Sequence, residues 1–195
     1  PAPVVTEAGL PVSGPAEARR WATSLADRAT ATGLLPAAVQ TRWTEAVEDA
    51  ELWQFEPTVV AGDLEASSFR IEDGALASVV GWQGLSIGDP ASDLAWAMPS
   101  EPVADAVLAG YAGVAGGADR RLRHRAALRA ELLLARWLLH GVEQRDTAVV
   151  DDAVELLTTL AERVHGDLTA RIQPTTRPIL TVDEVEDMLD QRPAV

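Results

Sequence analysis

The 195-residue chain is nearly half apolar and carries a net charge of −14, which allows one sizeable core and argues against general binding to nucleic acid or anionic membranes. Without cysteine it can form no disulfide, thiol nucleophile or thiolate zinc site. No stretch approaches the roughly 18 apolar residues of a membrane span, and the start lacks a signal peptide's basic and hydrophobic regions, so a cytoplasmic protein is the default.

In chain order, residues 1–14 are rich in Pro and Gly and read as a linker or hinge. Pro15 to Thr32 follows as a helix with Ala18, Trp21, Ala22, Leu25 and Ala29 on one face, ended by Gly33. Pro36 opens a second helix carrying Val39, Trp43, Val47 and Ala50. Thr58 to Ala61 is a short buried strand that runs into Gly62-Asp63. Phe69–Glu72 and Leu76–Val80 are β-prone runs joined at Asp73-Gly74, a pair suited to the positive φ angles of a tight hairpin turn. Asp89-Pro90 then caps and starts a helix expected to run through Met98.

Ser100 caps a helix with Val103, Val107, Leu108 and Tyr111 on one side, broken at Gly116-Gly117. Residues 119–142 are predicted to be the longest helix, buried because Leu128, Leu132, Leu133, Trp137, Leu138 and Val142 spread over more than one face. Asp146 or Thr147 caps the next, whose stripe is Val150, Val154, Leu157, Leu160, Ala161 and Val164. Residues 168–195 form a tail with a short acidic helix, opened by a capping box at Thr181–Glu184 and needing a surface to dock on.

The order strand, loop, hairpin, loop, helix, with these residues, resembles the catalytic core of the aminoglycoside/macrolide phosphotransferase family of small-molecule kinases. That family's loop reads His-Gly-Asp with an Asn five residues after the Asp; its hairpin ends Ile-Asp-Trp, and Gly-Asp-Pro-x-x-Asp-Leu-Ala follows. The matching segments are Ala61-Gly62-Asp63 with Ser68, Val80-Gly81-Trp82, and Gly88-Asp89-Pro90-Ala91-Ser92-Asp93-Leu94-Ala95. The resemblance covers residues 15–167 and implies an α+β, mainly α fold: a protein-kinase-like C-lobe with a catalytic-loop β-hairpin. No glycine-rich strand-loop-strand precedes Asp63 and all sixteen basic residues are Arg, so the N-lobe, with its phosphate-holding Lys, is expected to be absent.

Phosphoryl transfer is mostly positioning and neutralisation of phosphate charge, so the site needs metal ligands and a residue that orients the attacking hydroxyl. By the resemblance, Asp63 is the hydroxyl-orienting residue. Ser68 replaces the metal-binding Asn, and Gly81 replaces the principal metal-binding Asp. Ala61 replaces His, and Glu65 stands where a second His is common. These departures imply a pseudokinase in which Asp63 is vestigial and no cofactor is bound. Asp93 is expected to bond the loop amides, while Trp82 and Trp96 are expected in the core. Glu65, Glu72 and Asp73 are the acids that could recruit a metal in place of Gly81. His165-Gly166-Asp167 spells the loop motif better than Ala61 to Asp63 does, but no hairpin follows it, and Gly166 reads as a helix C-cap.

Arg120, Arg121, Arg123, Arg125 and Arg129 cluster without an intervening acid. They read either as a solvated helix start or as a docking surface for an acidic partner, the chain's own tail from Asp183 to Asp190 included. Three functions follow: a non-catalytic module that binds a protein partner; part of a small-molecule phosphotransferase that uses magnesium-ATP with an atypical metal site; and a domain that senses a nucleotide or metabolite without turnover.

Overall fold

The structure, a computed structural model, describes residues 9–115 and 119–172. Among the described residues, six α-helices and four short strands occur in the order α1 (Pro15–Ala31), α2 (Ala37–Glu48), β1 (Thr58–Val60), β2 (Phe69–Glu72), β3 (Ala75–Val79), β4 (Ser86–Gly88), α3 (Ala91–Leu94), α4 (Glu101–Ala115), α5 (Leu122–Gln144) and α6 (Thr147–Ile172). None of the described helices is long and apolar enough to cross a membrane.

The main core lies between α1, α2, α5 and α6, where small alanines let the helices approach and larger side chains fill the gaps. Ala22, Ala29, Val39, Trp43, Leu132, Leu138 and Leu157 are buried there, the 3.6-residue spacing giving each helix one apolar stripe. Trp43 also makes a polar link. Its indole N–H donates to Glu131 Oε2 at 3.0 Å, and Arg42 donates to both oxygens of the same carboxylate. A second, smaller cluster joins α3 to the first turns of α5 through Ala91, Leu94, Leu122 and Ala126, with Val107, Leu108 and Tyr111 of α4 against it. Helix α5 therefore serves both cores and fixes the loop region against the bundle.

The strands make two antiparallel pairs, β1 with β4 and β2 with β3. In the β2–β3 hairpin Asp73 and Gly74 both take positive φ, 50° and 76°, as a right-twisted two-residue turn requires. Residues 11–13, in the segment read as a linker, lie along β4: Ser13 N–H donates to Ile87 O and Ile87 N–H to Pro11 O.

Several boundaries differ from the expectations. The helix opened at Asp89-Pro90 is one α-turn followed by a 3-10 turn at Ala95–Ala97. Ala50 lies beyond α2 and is exposed, and Val59 in the strand read as buried is exposed too. On α4 the fully buried residue is Ala104, while Val103 faces out. The longest described helix is α6, capped by Asp146, whose Oδ1 accepts the amides of Ala148 and Val149. It runs through Gly166 to Ile172, so that glycine is no C-cap. On α5, Leu133, Trp137 and Val142 are exposed, so the helix buries one broad face only. The Gly116-Gly117 break and the acidic tail helix lie outside the described residues.

Candidate functional site

Where β1 ends, the chain turns through Ala61, Gly62 and Asp63, and Asp93 of α3 holds the turn. Asp93 Oδ2 accepts the Ala61 amide at 2.7 Å and Oδ1 accepts the Gly62 amide at 2.8 Å. One carboxylate thus satisfies two successive backbone donors, a charge-assisted clamp that fixes the loop relative to the helical layer. Gly62 has φ +75°, and a Cβ there would fall 2.7 Å from Gly84 O. Both the left-handed conformation and the close approach of the second loop demand glycine at this position.

Asp63, also at positive φ, turns its 59% exposed carboxylate toward α5, where Arg136 Nη1 lies 3.5 Å from Oδ2 and Arg129 Nη2 3.7 Å from Oδ1. At these lengths and this exposure the attraction is modest. Arg129 is itself placed by packing, its guanidinium lying over the Trp21 ring at 4.5 Å. Sequence reading missed Arg136 as a neighbour of Asp63. Its spacing of seven from Arg129, two helical turns along one face, was the available signal.

The hairpin brings Ser68 and Gly81 together: an ideal Cβ on Gly81 would lie 3.6 Å from Ser68 Oγ and 4.0 Å from Gln83 Oε1. These are the two positions at which the resemblance places metal ligands. The donors present do not fit a magnesium ion, which takes one or two carboxylates among its oxygens. Ser68 Oγ is buried and already accepts the Glu65 amide at 3.1 Å. Gly81 offers no side chain, and Gln83 adds only a neutral amide. Among the described residues no group of three or more His, Asp or Glu is gathered as a metal site.

Behind the loop sits a buried ion-pair cluster. Arg125, its side chain 1% exposed, donates to both oxygens of Asp89, to Asp119 and, at 3.1 Å, to Leu52 O. It also covers the Phe55 ring at 4.7 Å. Burial disfavours the Arg125 charge, but its hydrogen bonds to Asp119 and Asp89 prevail and hold the group above its ordinary range. Burial likewise pushes Asp119 up, and the bond and charge of Arg125 with the amides of Arg121 and Leu122 bring it below the usual carboxylate range. Tyr111 is raised by burial first and then by the neighbouring carboxylates of Asp119, Asp89 and Asp93. Asp89 Oδ1 also accepts the Ala91 amide at 3.0 Å, so one residue caps α3 and anchors it to α5.

The five clustered arginines do not form one docking surface. Arg125 is inside, Arg121 pairs with Glu51 at 2.7 Å, Arg123 pairs with Asp105, and Arg129 stacks on Trp21 beside Asp63. Arg120 is exposed. The helical twist sends neighbours in sequence to different sides, where Arg121, Arg123, Arg125 and Arg129 each meet an acid from another element. Trp82 is no core anchor either: it is 53% exposed, with its indole N–H donating to Val79 O at 2.8 Å. Trp96 is half-buried against Phe69, ring centres 4.9 Å apart.

Beside Asp63 opens a cleft of about 610 Å3, lined by α1, α5 and Glu65, with Arg136, Trp137 and His140 among its residues. A larger hollow of about 1130 Å3 lies between Trp53, Phe55, Tyr111 and Asp119, and neither it nor the smaller cleft is lined by Asp63, Ser68 or Gly81.

A Gly-Asp loop clamped by an aspartate one helix away, a hairpin after it and a buried Gly-Asp-Pro turn define a kinase-like phosphotransferase fold. The family model described as Phosphotransferase enzyme family matches residues 5–128, and the chain belongs to that family. Among solved structures it is similar to macrolide 2'-phosphotransferase type I, at a TM-score of 0.69 and 22% identity over 80% of this chain and 53% of that one. It is also similar to the apoenzyme of macrolide 2'-phosphotransferase MphH from Brachybacterium faecium, at 0.65 and 21% over 80% and 54%. The GDP complex of wild-type aminoglycoside 2'-phosphotransferase-IIIa aligns at 0.67 and 19% over 84% and 56%. At these identities the likeness establishes the fold, and the chain spans about half the length of these proteins. No curated protein matches the chain.

Proposed function

We propose that this chain is a non-catalytic ligand-binding or regulatory module built on the phosphotransferase fold. The observation that carries this reading is the pairing of Ser68 with Gly81. Both positions are in place across the hairpin, close enough to share an ion, yet they present one engaged hydroxyl and no carboxylate. Phosphoryl transfer depends on a metal that bridges the phosphates, so a fold that keeps its loop geometry without that anchor is suited to binding rather than turnover. The surrounding scaffold, by contrast, is fully bonded: among the described residues no buried side-chain nitrogen or oxygen lacks a hydrogen-bond partner.

A second reading is favoured by Asp63 itself. The Asp93 clamp holds the loop that presents it, and the chain spans about half of its structural neighbours. On that reading the residues form the C-terminal part of a phosphotransferase with an atypical metal site.

Calorimetric titration with magnesium-ATP, magnesium-GTP and each nucleotide in EDTA, into the protein and Asp63→Ala, separates the two. GTP is included because one structural neighbour is a GDP complex. The binding-module reading expects no metal-dependent heat. Magnesium-dependent binding that disappears in Asp63→Ala would overturn it.

A further inference from the structure

We infer that the hollow between Trp53, Phe55 and Tyr111 is the seat of the chain's own tail: residues 181–190 dock there as an amphipathic helix, apolar side inward. The inference concerns a surface apart from Asp63 and holds whether or not that site turns over a substrate.

The first observation is where the chain leaves the bundle. Helices α5 and α6 are antiparallel, in a register fixed near their turn: a Cβ on Gly141 would meet Val149 and Val150, and Trp137 donates to Asp152 Oδ2 at 2.7 Å. Both helices rise about 1.5 Å per residue, so the start of α5 stands level with the last turns of α6, and α6 delivers Ile172 to the end of the bundle where α5 begins. The hollow lies at that same end. Arg120 and Arg121 line it, and Glu51 on its wall pairs with Arg121 at 2.7 Å. Residues 173–180 can span roughly 26 Å when extended, more than two helix diameters of about 10–12 Å, so the tail can reach across it.

The second is the tail's own pattern. Val182, Val185, Met188 and Leu189 recur at three- and four-residue spacing, and Asp183, Glu184, Glu186, Asp187 and Asp190 fall on the other side. A helix of this length is marginal in isolation and needs an apolar surface to hold it.

The third is what the hollow presents. At about 1130 Å3 it exceeds the roughly 300–1,000 Å3 of small-molecule pockets. The edges of Trp53 and Phe55 form its floor, with half-buried Pro15 and Tyr111 and exposed Ala115 on its walls. Helix α4 carries no charged residue from Ala106 to Ala115, and Val114 beside Tyr111 is 90% exposed. In a chain with 24% charged residues such a face is one left for a partner. Charge does not select the occupant. Arg121 pairs with Glu51 and Asp119 with Arg125, which leaves Arg120 and Glu56 with opposite signs at the rim. Apolar contact holds the helix, the acids face water, and the dock is therefore insensitive to salt.

The test uses the full chain. It has no cysteine, so Gln191→Cys carries a single nitroxide label. The label is expected to broaden the NMR signals of the Gln54, Tyr111 and Ala115 amides and to spare Arg145, at the far end of the 23-residue α5, roughly 35 Å away. Val185→Asp with Leu189→Asp should abolish that broadening and speed exchange at the amides of residues 185–190 about tenfold or more. Ala115→Asp, on the exposed wall, should release the tail from the other side while the bundle keeps its melting temperature. Asp187→Asn, on the water side, should leave the dock intact. Broadening unchanged by the double variant or by Ala115→Asp overturns the inference, as does its loss at high salt. Broadening that labelled copies impose on unlabelled ones assigns the hollow to a second copy's tail and equally overturns it.

Discussion

Arg125 meets Asp89 side-on, Nε to Oδ2 at 2.9 Å and Nη2 to Oδ1 at 3.2 Å, with both side chains closed off from water. The pair joins α5 to the turn that opens α3, and α3 carries the Asp93 that clamps the Gly62-Asp63 loop. Position at the candidate site is thus transmitted through two carboxylates four residues apart, one facing the bundle and one facing the loop.

Arg125→Met keeps the length of the side chain but leaves Asp89 buried without its cation. Breaking a buried pair in this way should remove about 3–5 kcal/mol of stability, lowering the melting temperature by roughly 10 °C or more. Arg120→Gln, on an exposed side chain in the same sequence cluster, should stay within about 0.5 kcal/mol. Equal effects from the two variants would contradict the burial assigned to Arg125. Thermal denaturation followed by circular dichroism decides it.

Much of the scaffold could be read from the chain because its signals are local. The stripe of Ala18, Ala22, Leu25 and Ala29 and the Asp73-Gly74 turn follow from spacing and from residue chemistry, and the Asp93 clamp from the family resemblance of the Gly88–Ala95 segment. What escaped reading depends on which elements meet. Nothing in the run from Arg120 to Arg129 distinguishes the buried Arg125 from its solvated neighbours until Asp89 and Phe55 arrive from elsewhere in the fold. Trp82 misled for the converse reason: a large aromatic beside Gly81 reads as core, yet among the described residues no element packs enough surface over it to bury it. Arg136 went unnoticed as a partner of Asp63 because the two are 73 residues apart.

Acid should loosen the same cluster. Asp119 is held below the usual carboxylate range mainly by Arg125, so its folded value lies under its unfolded one. Its contribution is therefore fully present above about pH 4, the unfolded value, and is lost as pH falls through the lower folded value. Asp119→Asn should cost about 1.5–3 kcal/mol at pH 7, the range for hydrogen bonds to charged groups, and should flatten the acid limb of stability below about pH 4. Urea midpoints measured from pH 7 to pH 2.5 check this; an unchanged acid limb in Asp119→Asn would remove Asp119 from the argument.

Asp93→Ala deprives the Ala61 and Gly62 amides of their acceptor at once. With unsatisfied buried donors costing about 1–3 kcal/mol each, the variant should lose roughly 2–4 kcal/mol overall, and exchange at those two amides should accelerate far more than in the α1–α2 core. Asp93→Asn keeps one acceptor oxygen and should recover part of the loss. Hydrogen exchange resolved to single amides is the measurement, and uniform acceleration across the chain would show that the clamp is not local.

The hairpin offers the most direct test of the missing metal ligand. Gly81→Asp places a carboxylate beside Ser68, and its Cβ meets only ordinary contacts, at 3.6 Å to Ser68 Oγ and 4.0 Å to Gln83 Oε1. Its φ of +93° makes the substitution strained, by about 1–2 kcal/mol for a non-glycine residue on the left-handed side. Gly62→Ala, where the Cβ would strike Gly84 O at 2.7 Å, combines a similar strain with a backbone clash and should cost about 3 kcal/mol or more. The two variants thus separate tolerance of a side chain from the need for one. In Gly81→Asp, millimolar magnesium should raise the melting temperature by a few degrees, since an ion that binds only the folded form stabilises it by mass action; the parent and Gly62→Ala should not respond. If Gly81→Asp folds and remains indifferent to magnesium, the absent carboxylate is not what separates this site from a metal-binding one, and the non-catalytic reading loses the observation that carries it.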